Sequence, residues 1–429
     1  MSRLTISKDQ RHLCRDGRAF FWLADTIWSA FTNITLDDWA YYLKKRKKQG
    51  FNVLQINTLA QWDRGESSLN RSPFAIKADG MPDYERVDQA YFDNAREMCR
   101  MAKEEGFELA LVILWCNQVP GTWANQYAPG FTIKEKILPD VVKKILDSFD
   151  EFEPIYLVGG DTDFPSEETI EYYKKVFCML EERRYRGLRS IHIKGRFTDI
   201  PDEIAEKIDF YLYQSGHNAG AQEMAYTSAK AFYEREPKRP VINSEPCYEQ
   251  MGYSHNLYGR FGQFEIRRAA WQGLLSGASA GVTYGAHGVW NWVSEGYKST
   301  LALGEGFDAP FPHQQALEFP GAWDYGFIHE FFAEFSLDTM TPCREIVLNR
   351  SEEIRAAENE KGIIVVYLPV NTKLQLQGDY SQSRIRAYDL SARHSAWLDA
   401  EKKEDCTVID MHPFLQDALI VIARIGQEF

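Results

Sequence analysis

Two acidic residues close two short apolar runs. Asp161 ends Ile155-Tyr-Leu-Val-Gly-Gly-Asp161, and Glu245 ends Pro240-Val-Ile-Asn-Ser-Glu245 just before a proline. An apolar run that stops at a carboxyl reads as a buried strand whose last side chain emerges at the sheet rim, where it can meet a ligand. If both strands belong to one parallel barrel, the two carboxyls face each other across its mouth. That layout suits cleavage of a glycosidic bond, in which a protonated acid serves the leaving oxygen and an ionised one attacks the anomeric carbon or directs water. Asp161 is the candidate acid/base and Glu245 the candidate nucleophile. Sequence does not choose between a retaining pair, about 5–5.5 Å apart, and an inverting pair, about 6.5–9.5 Å apart. Competing readings exist at both sites. Gly159-Gly-Asp-Thr-Asp163 is also turn chemistry, and Asp163 could cap a helix near residue 166. Glu249 is either a rival nucleophile or a hydrogen-bonding partner that orients Glu245 or a neighbouring tyrosine.

The elements that must position these groups are legible as short apolar runs alternating with longer amphipathic segments. Strands are expected at 20–24, 51–56, 107–114, 155–158, 190–193, 209–213, 240–243 and 281–284. Helices fall between them, including one opened by Thr35 and ended at Gly50, one from Tyr91 to Glu105, one over 167–185 and one over 262–276. Eight such units predict an α/β fold, a (β/α)8 TIM barrel. The segment 59–90, rich in Pro, Gly and Asp, reads as a loop on the active face. Beyond about residue 340, strands without helices predict a small antiparallel β-sandwich. The expected division is a catalytic barrel over 1–340 and a sandwich domain over 341–429, the tail supporting the barrel without binding sugar itself.

Polar residues near the carboxyl ends of the expected strands are Asp25, Asn57, Gln214, His217, Tyr284 and His287. On different strands of one barrel they would converge on one pocket, so they are expected to touch sugar. Trp115 and Trp290, with Trp28 behind them, could stack on sugar faces or pack the barrel top.

Composition narrows the partners. The formal net charge of −13, with no Lys/Arg-rich segment, argues against nucleic acid and anionic membrane surfaces. Seven scattered cysteines, odd in number and without a C-x-x-C pair, suggest reduced thiols. Nine histidines include no H-E-x-x-H, and His217 with His287 lack an evident third ligand, so no metal is expected. Leu275-Ser-Gly-Ala-Ser-Ala-Gly281 matches no nucleotide fingerprint, so no cofactor is expected either. The N-terminal residues are charged and no stretch reaches membrane-span length, which predicts a soluble cytoplasmic protein acting on a carbohydrate, its oligomeric state open.

Several segments carry a family resemblance. They are Phe20-Phe-Trp-Leu-Ala-Asp-Thr-Ile-Trp28, Gln49-Gly-Phe-Asn-Val-Leu-Gln55, Gly159-Gly-Asp161, Tyr213-Gln-Ser-Gly-His217, Asn243-Ser-Glu-Pro-Cys-Tyr-Glu249, Arg267-Arg-Ala-Ala and Leu274 through Trp290. Together, over roughly residues 15–330, they resemble the apiosidase-like glycoside hydrolases, glycoside hydrolase family 140, long catalogued as a domain of unknown function. The resemblance implies a TIM barrel followed by a small β-domain, an Asp acid/base at Asp161 and a Glu nucleophile at Glu245. The larger clan of barrel glycosidases usually has Glu where Asp161 stands. Ile191-His-Ile-Lys-Gly195 also differs from the family's His-Pro-x-Gly, which leaves Lys194 without an assigned role. Family members are commonly exported. The leading expectation is a retaining, exo-acting glycosidase on a short oligosaccharide or glycoside. A non-catalytic carbohydrate-binding barrel is the alternative, and a metal-dependent hydrolase or isomerase the third. Sugar and linkage stay unspecified.

Overall fold

The computed structural model describes residues 2–65, 67–69, 71–296 and 306–424. One all-parallel sheet holds nine strand segments in the order Arg189–Ser190, Ile155–Gly160, Glu108–Trp115, Val53–Asn57, Trp22–Thr26, Gly281–Tyr284, Val241–Asn243, Tyr211–Gln214 and His192–Gly195. The first and last of these are separated in sequence only by Ile191. Residues 189–190 pair with the fourth strand and residues 192–195 with the sixth, so a single interrupted fifth strand closes the ring. The result is an eight-stranded TIM barrel, each strand within two residues of its expected position. The fifth strand is broken at Ile191 and shifts register between His192 and Gly195.

Local chemistry sets the helices. Thr35 accepts the Asp38 N–H at 3.1 Å, and Leu36–Lys48 runs from two early acids to four late basic residues, complementing its dipole. Asp88 caps Gln89–Glu104. Ser166, not Asp163, caps Glu167–Glu182, because Asp163 is engaged elsewhere. The 59–90 segment is not all loop: Phe74–Ile76 and Pro82–Val87 form a hairpin. Inside the barrel, a buried chain of hydrogen bonds runs from Trp22 Nε1 to Thr283 Oγ1 (3.2 Å), from Thr283 to Gln55 Oε1 (2.7 Å) and from Gln55 Nε2 to the Ser244 carbonyl (3.1 Å). It thereby ties three strands to the residue preceding Glu245.

The C-terminal region forms a six-stranded antiparallel sheet and a three-stranded one. Alternation along its strands splits their side chains between two cores. Ile364, Val366, Ile420 and Ile422 meet Leu374, Leu376 and Ile409 between the sheets, while Val365, Tyr367, Leu419 and Val421 join the barrel's core. Both faces are buried, which is why Ala418–Ala423 reads as an unbroken apolar run. A buried ionic joint fastens this sheet to the barrel. Arg267, on Gln263–Leu274, reaches Asp417 (Nε to Oδ2, 2.9 Å) and Asp324 (Nη1 to Oδ2, 2.8 Å), and Tyr367 donates to Asp417 at 3.0 Å. Among the described residues no helix is long and apolar enough to cross a membrane.

Removing one partner of a buried ion pair strands the others. Arg267→Ala is therefore expected to cost about 3–5 kcal/mol of stability, measured by urea unfolding. A loss below about 1 kcal/mol, the range of exposed pairs, would mean the joint is not structural.

Candidate active site

The carboxyl ends of the barrel strands surround a cavity of ≈ 260 Å³ whose walls include both Asp161 and Glu245. Glu245 leaves the seventh strand almost fully buried, and each of its oxygens meets a histidine: His192 Nε2 at 2.9 Å from Oε2 and His217 Nε2 at 3.0 Å from Oε1. The network fixes the proton on His217. Its Nδ1 accepts the Tyr248 backbone N–H at 3.3 Å, so the ring's hydrogen lies on Nε2 and is donated to Glu245. His192 is anchored at its other nitrogen, with Nδ1 2.7 Å from the Ser244 hydroxyl, which itself donates to the Tyr213 carbonyl at 3.1 Å. Burial alone would raise the Glu245 carboxyl, but its hydrogen bonds and charge interactions with the two histidines together outweigh it and hold the group below the ordinary carboxylate range, hence ionised.

Asp161 follows the fourth strand with φ +50°, a left-handed turn that Asp tolerates better than most residues. Its carbonyl accepts Trp123 Nε1–H at 2.6 Å, which pins the turn. The two preceding glycines are required by close approach. A Cβ on Gly160 would lie 2.3 Å from the Trp115 ring, and one on Gly159 would lie 2.7 Å from Tyr173. Asp163 accepts the Trp123 backbone N–H at 3.0 Å and pairs with Lys194 Nζ at 2.6 Å, so the ammonium at the cavity wall is already matched by a carboxylate.

Of the residues expected to touch sugar, Trp115, Gln214, His217 and Trp290 line the cavity, as does Trp28. Asp25, Asn57, Tyr284 and His287 do not. Asp25 is fully buried and bound by Arg46 Nε at 2.6 Å and Tyr42 OH at 2.8 Å, which serves the barrel–helix packing. Asn57 donates to Gln61 behind the wall. Tyr284 donates to Glu249 at 2.6 Å. His287 is fully buried, and burial pushes its imidazole down to about 3, so it is neutral and far from any acid–base duty at neutral pH. Glu249 accepts the Gly321 N–H at 2.9 Å, at the start of Gly321–Phe335, and lies outside the cavity lining.

Sequence reasoning missed His192 and the trio Gln61, Trp62 and Asp63. A signal for His192 was present: a histidine between two isoleucines of a buried strand must face opposite to both. Among the described residues, one group of three acids converges closely enough for a metal, Glu167, Glu171 and Glu203. It belongs to a surface ion-pair network, with Lys174 bonded to Glu171 and Glu203.

A family model described as "Apiosidase-like, catalytic domain" matches residues 7–339. Solved structures of the same fold include a protein described as "Glycoside hydrolase" (18% identity, TM-score 0.78, covering 100% of this chain and 98% of that one). They also include a glycoside hydrolase family 5 protein from Bacteroides vulgatus ATCC 8482 (19% identity, TM-score 0.80, covering 99% and 94%) and a putative glycoside hydrolase from the same organism (14% identity, TM-score 0.72, covering 99% and 82%). At these identities the likeness carries the fold alone. No curated protein matches the sequence. Barrel, cavity and family match define a TIM-barrel glycosidase. More narrowly, with the match spanning most of its length, the chain belongs to the apiosidase-like glycoside hydrolases.

Glu249 supplies a stability test. Burial pushes its carboxyl up from 4.5 to about 7, so the folded protein holds a proton that the unfolded chain releases at lower pH. Stability from this group is complete below about pH 4.5 and is lost as pH rises through 7. Glu249→Gln should flatten the fall in melting temperature between pH 5 and 8. An unchanged pH slope would contradict this.

Proposed function

We propose that the protein hydrolyses a terminal glycosidic bond of a short oligosaccharide or small glycoside by a two-step retaining route, with Glu245 as nucleophile and Asp161 as acid/base. The double histidine clamp carries this reading, because a nucleophilic carboxyl must be ionised at working pH and here two histidines keep it so inside a cavity. In the first step Glu245 bonds to the anomeric carbon while the glycosidic C–O bond breaks and Asp161 passes its proton to the leaving oxygen. In the second, Asp161 takes a proton from water, the water oxygen bonds to the anomeric carbon and Glu245 departs. Trp62, Trp123, Met251 and Phe307 wall the cavity further, which suits the end of a chain more than its middle and supports exo action. The division into a catalytic barrel over 1–340 and a supporting sandwich over 341–429 belongs to the same proposal, and the end of the family match at residue 339 supports it. So does a reducing, cytoplasmic setting, supported by seven free thiols, four of them buried.

Asp161→Asn and Glu245→Gln should each lower kcat at least about a thousandfold on a glycoside with a poor leaving group while leaving the melting temperature intact. Wild-type-like turnover in either would remove that residue from the mechanism. Asp161→Ala should spare a dinitrophenyl glycoside far more than one with a poor leaving group, and azide should rescue it with retained configuration. An azide product of inverted configuration would defeat the retaining route.

His217→Ala removes one N–H from the nucleophile. The acidic limb of kcat/KM should then move to higher pH, since the remaining bond stabilises the carboxylate less against the same burial. A limb that stays put, or moves to lower pH, would detach it from Glu245.

A further inference from the structure

The cavity contains a third carboxyl that the two-step mechanism does not use. Asp63 lies on the wall with Asp161 and Glu245 and comes from the segment after the second strand. A relay holds it in place: Asn57, the last residue of that strand, donates to Gln61 Oε1, and Gln61 Nε2 donates to Asp63 Oδ1 at 2.9 Å. Among the described residues no other side chain bonds to this carboxyl, and it carries no paired cation. A carboxylate kept in a cavity without a counter-charge, its orientation fixed by an amide, needs donors from whatever fills the cavity.

We propose that Asp63 binds substrate, its carboxylate accepting hydroxyl groups of the sugar held in the cavity with Asp161 and Glu245. This rests on the glycosidase reading and adds a statement about the sugar. Asp63 and Glu245, the two ionised carboxylates of this wall, disfavour a carboxylated sugar beside them, so the ring taken here is neutral and rich in hydroxyls. Trp62, adjoining Asp63, stacks with Tyr127 at 6.3 Å and offers an apolar surface beside the acceptor, the pairing a sugar ring with one apolar and one hydroxylated aspect would need. The contact is also sensitive to pH. Burial pushes the Asp63 carboxyl up to about 6, with the charge of Glu245 adding to the rise. The other charged or titratable groups on the cavity wall are Asp161, Lys194, Arg196, His217 and Tyr248; Lys194 is paired with Asp163, His217 donates to Glu245, and the Tyr248 hydroxyl accepts from Trp28 Nε1.

The experiment uses aryl glycosides of arabinose, xylose, galactose, rhamnose and apiose, and single-deoxy versions of the best one. Asp63→Asn should lower kcat/KM tenfold or more at pH 7, through KM as well as kcat, and lower it less at pH 5, where the wild-type carboxyl is itself protonated. On the analogue lacking the contacted hydroxyl, the variant and the wild type should be nearly equal. A loss of twofold or less at pH 7 overturns the proposal, and so does an equal loss on every deoxy analogue, which would mark an indirect effect. Asp63→Ser replaces the Asn variant if that variant's melting temperature falls. If the wild type cleaves none of these glycosides, the glycosidase reading fails instead, and calorimetric titration with the free sugars decides about Asp63. Binding weakened tenfold or more by Asp63→Asn upholds the proposal; undiminished binding, or no binding by the wild type, overturns it.

Discussion

An ionised carboxylate buried at the mouth of the barrel is the demand that organises this molecule. Left alone, Glu245 would be pushed toward its protonated form by burial, the direction in which burial moves Glu249 four residues later. Two histidines prevent that, and each is directed by something further out. Tyr248 fixes His217 through its backbone, and Ser244 fixes His192. Ser244 in turn is held by the hydrogen bonds that cross the barrel from Trp22 through Thr283 and Gln55. The state of one side chain thus depends on four strands keeping their register.

That dependence also explains what could be read in advance. The place of Asp161 and Glu245 on the cavity wall was legible because a carboxyl ending an apolar run has few reasons to be there. Asp25 and Tyr284 end strands in the same way, yet serve the packing around Arg46 and Glu249. A barrel strand is buried on both faces, so its hydrophobicity does not reveal which parity points inward. The parity error therefore falls on residues such as Asp25, whose strand is buried at every position. Gln61, Trp62 and Asp63 were out of reach for another reason: they sit after a strand ends, where no periodicity applies and conformation depends on partners distant in sequence.

The motif Arg267-Arg-Ala-Ala was part of the family resemblance, and it does its work away from the cavity. Arg267 is buried among Asp324, Asp417 and Gln416, joining the barrel to the C-terminal sheet. A residue shared with a catalytic family is thus kept here for architecture. Gly160 shows the converse: a position that looks like turn chemistry exists because the Trp115 ring occupies the space a side chain would need.

The six-stranded C-terminal sheet has its own order of assembly. Ala418–Ala423 lies between Ile364–Leu368 and Arg384–Asp389, hydrogen-bonded to both, although it is the last of the six in sequence. The strands on either side of it are therefore made first, and two half-sheets each keep a bare edge until it arrives. The same late segment brings Asp417, so the joint with Arg267 closes at that moment too. Until then Arg267 has only Asp324 to pair with, and the edges of both half-sheets stay open to other strands.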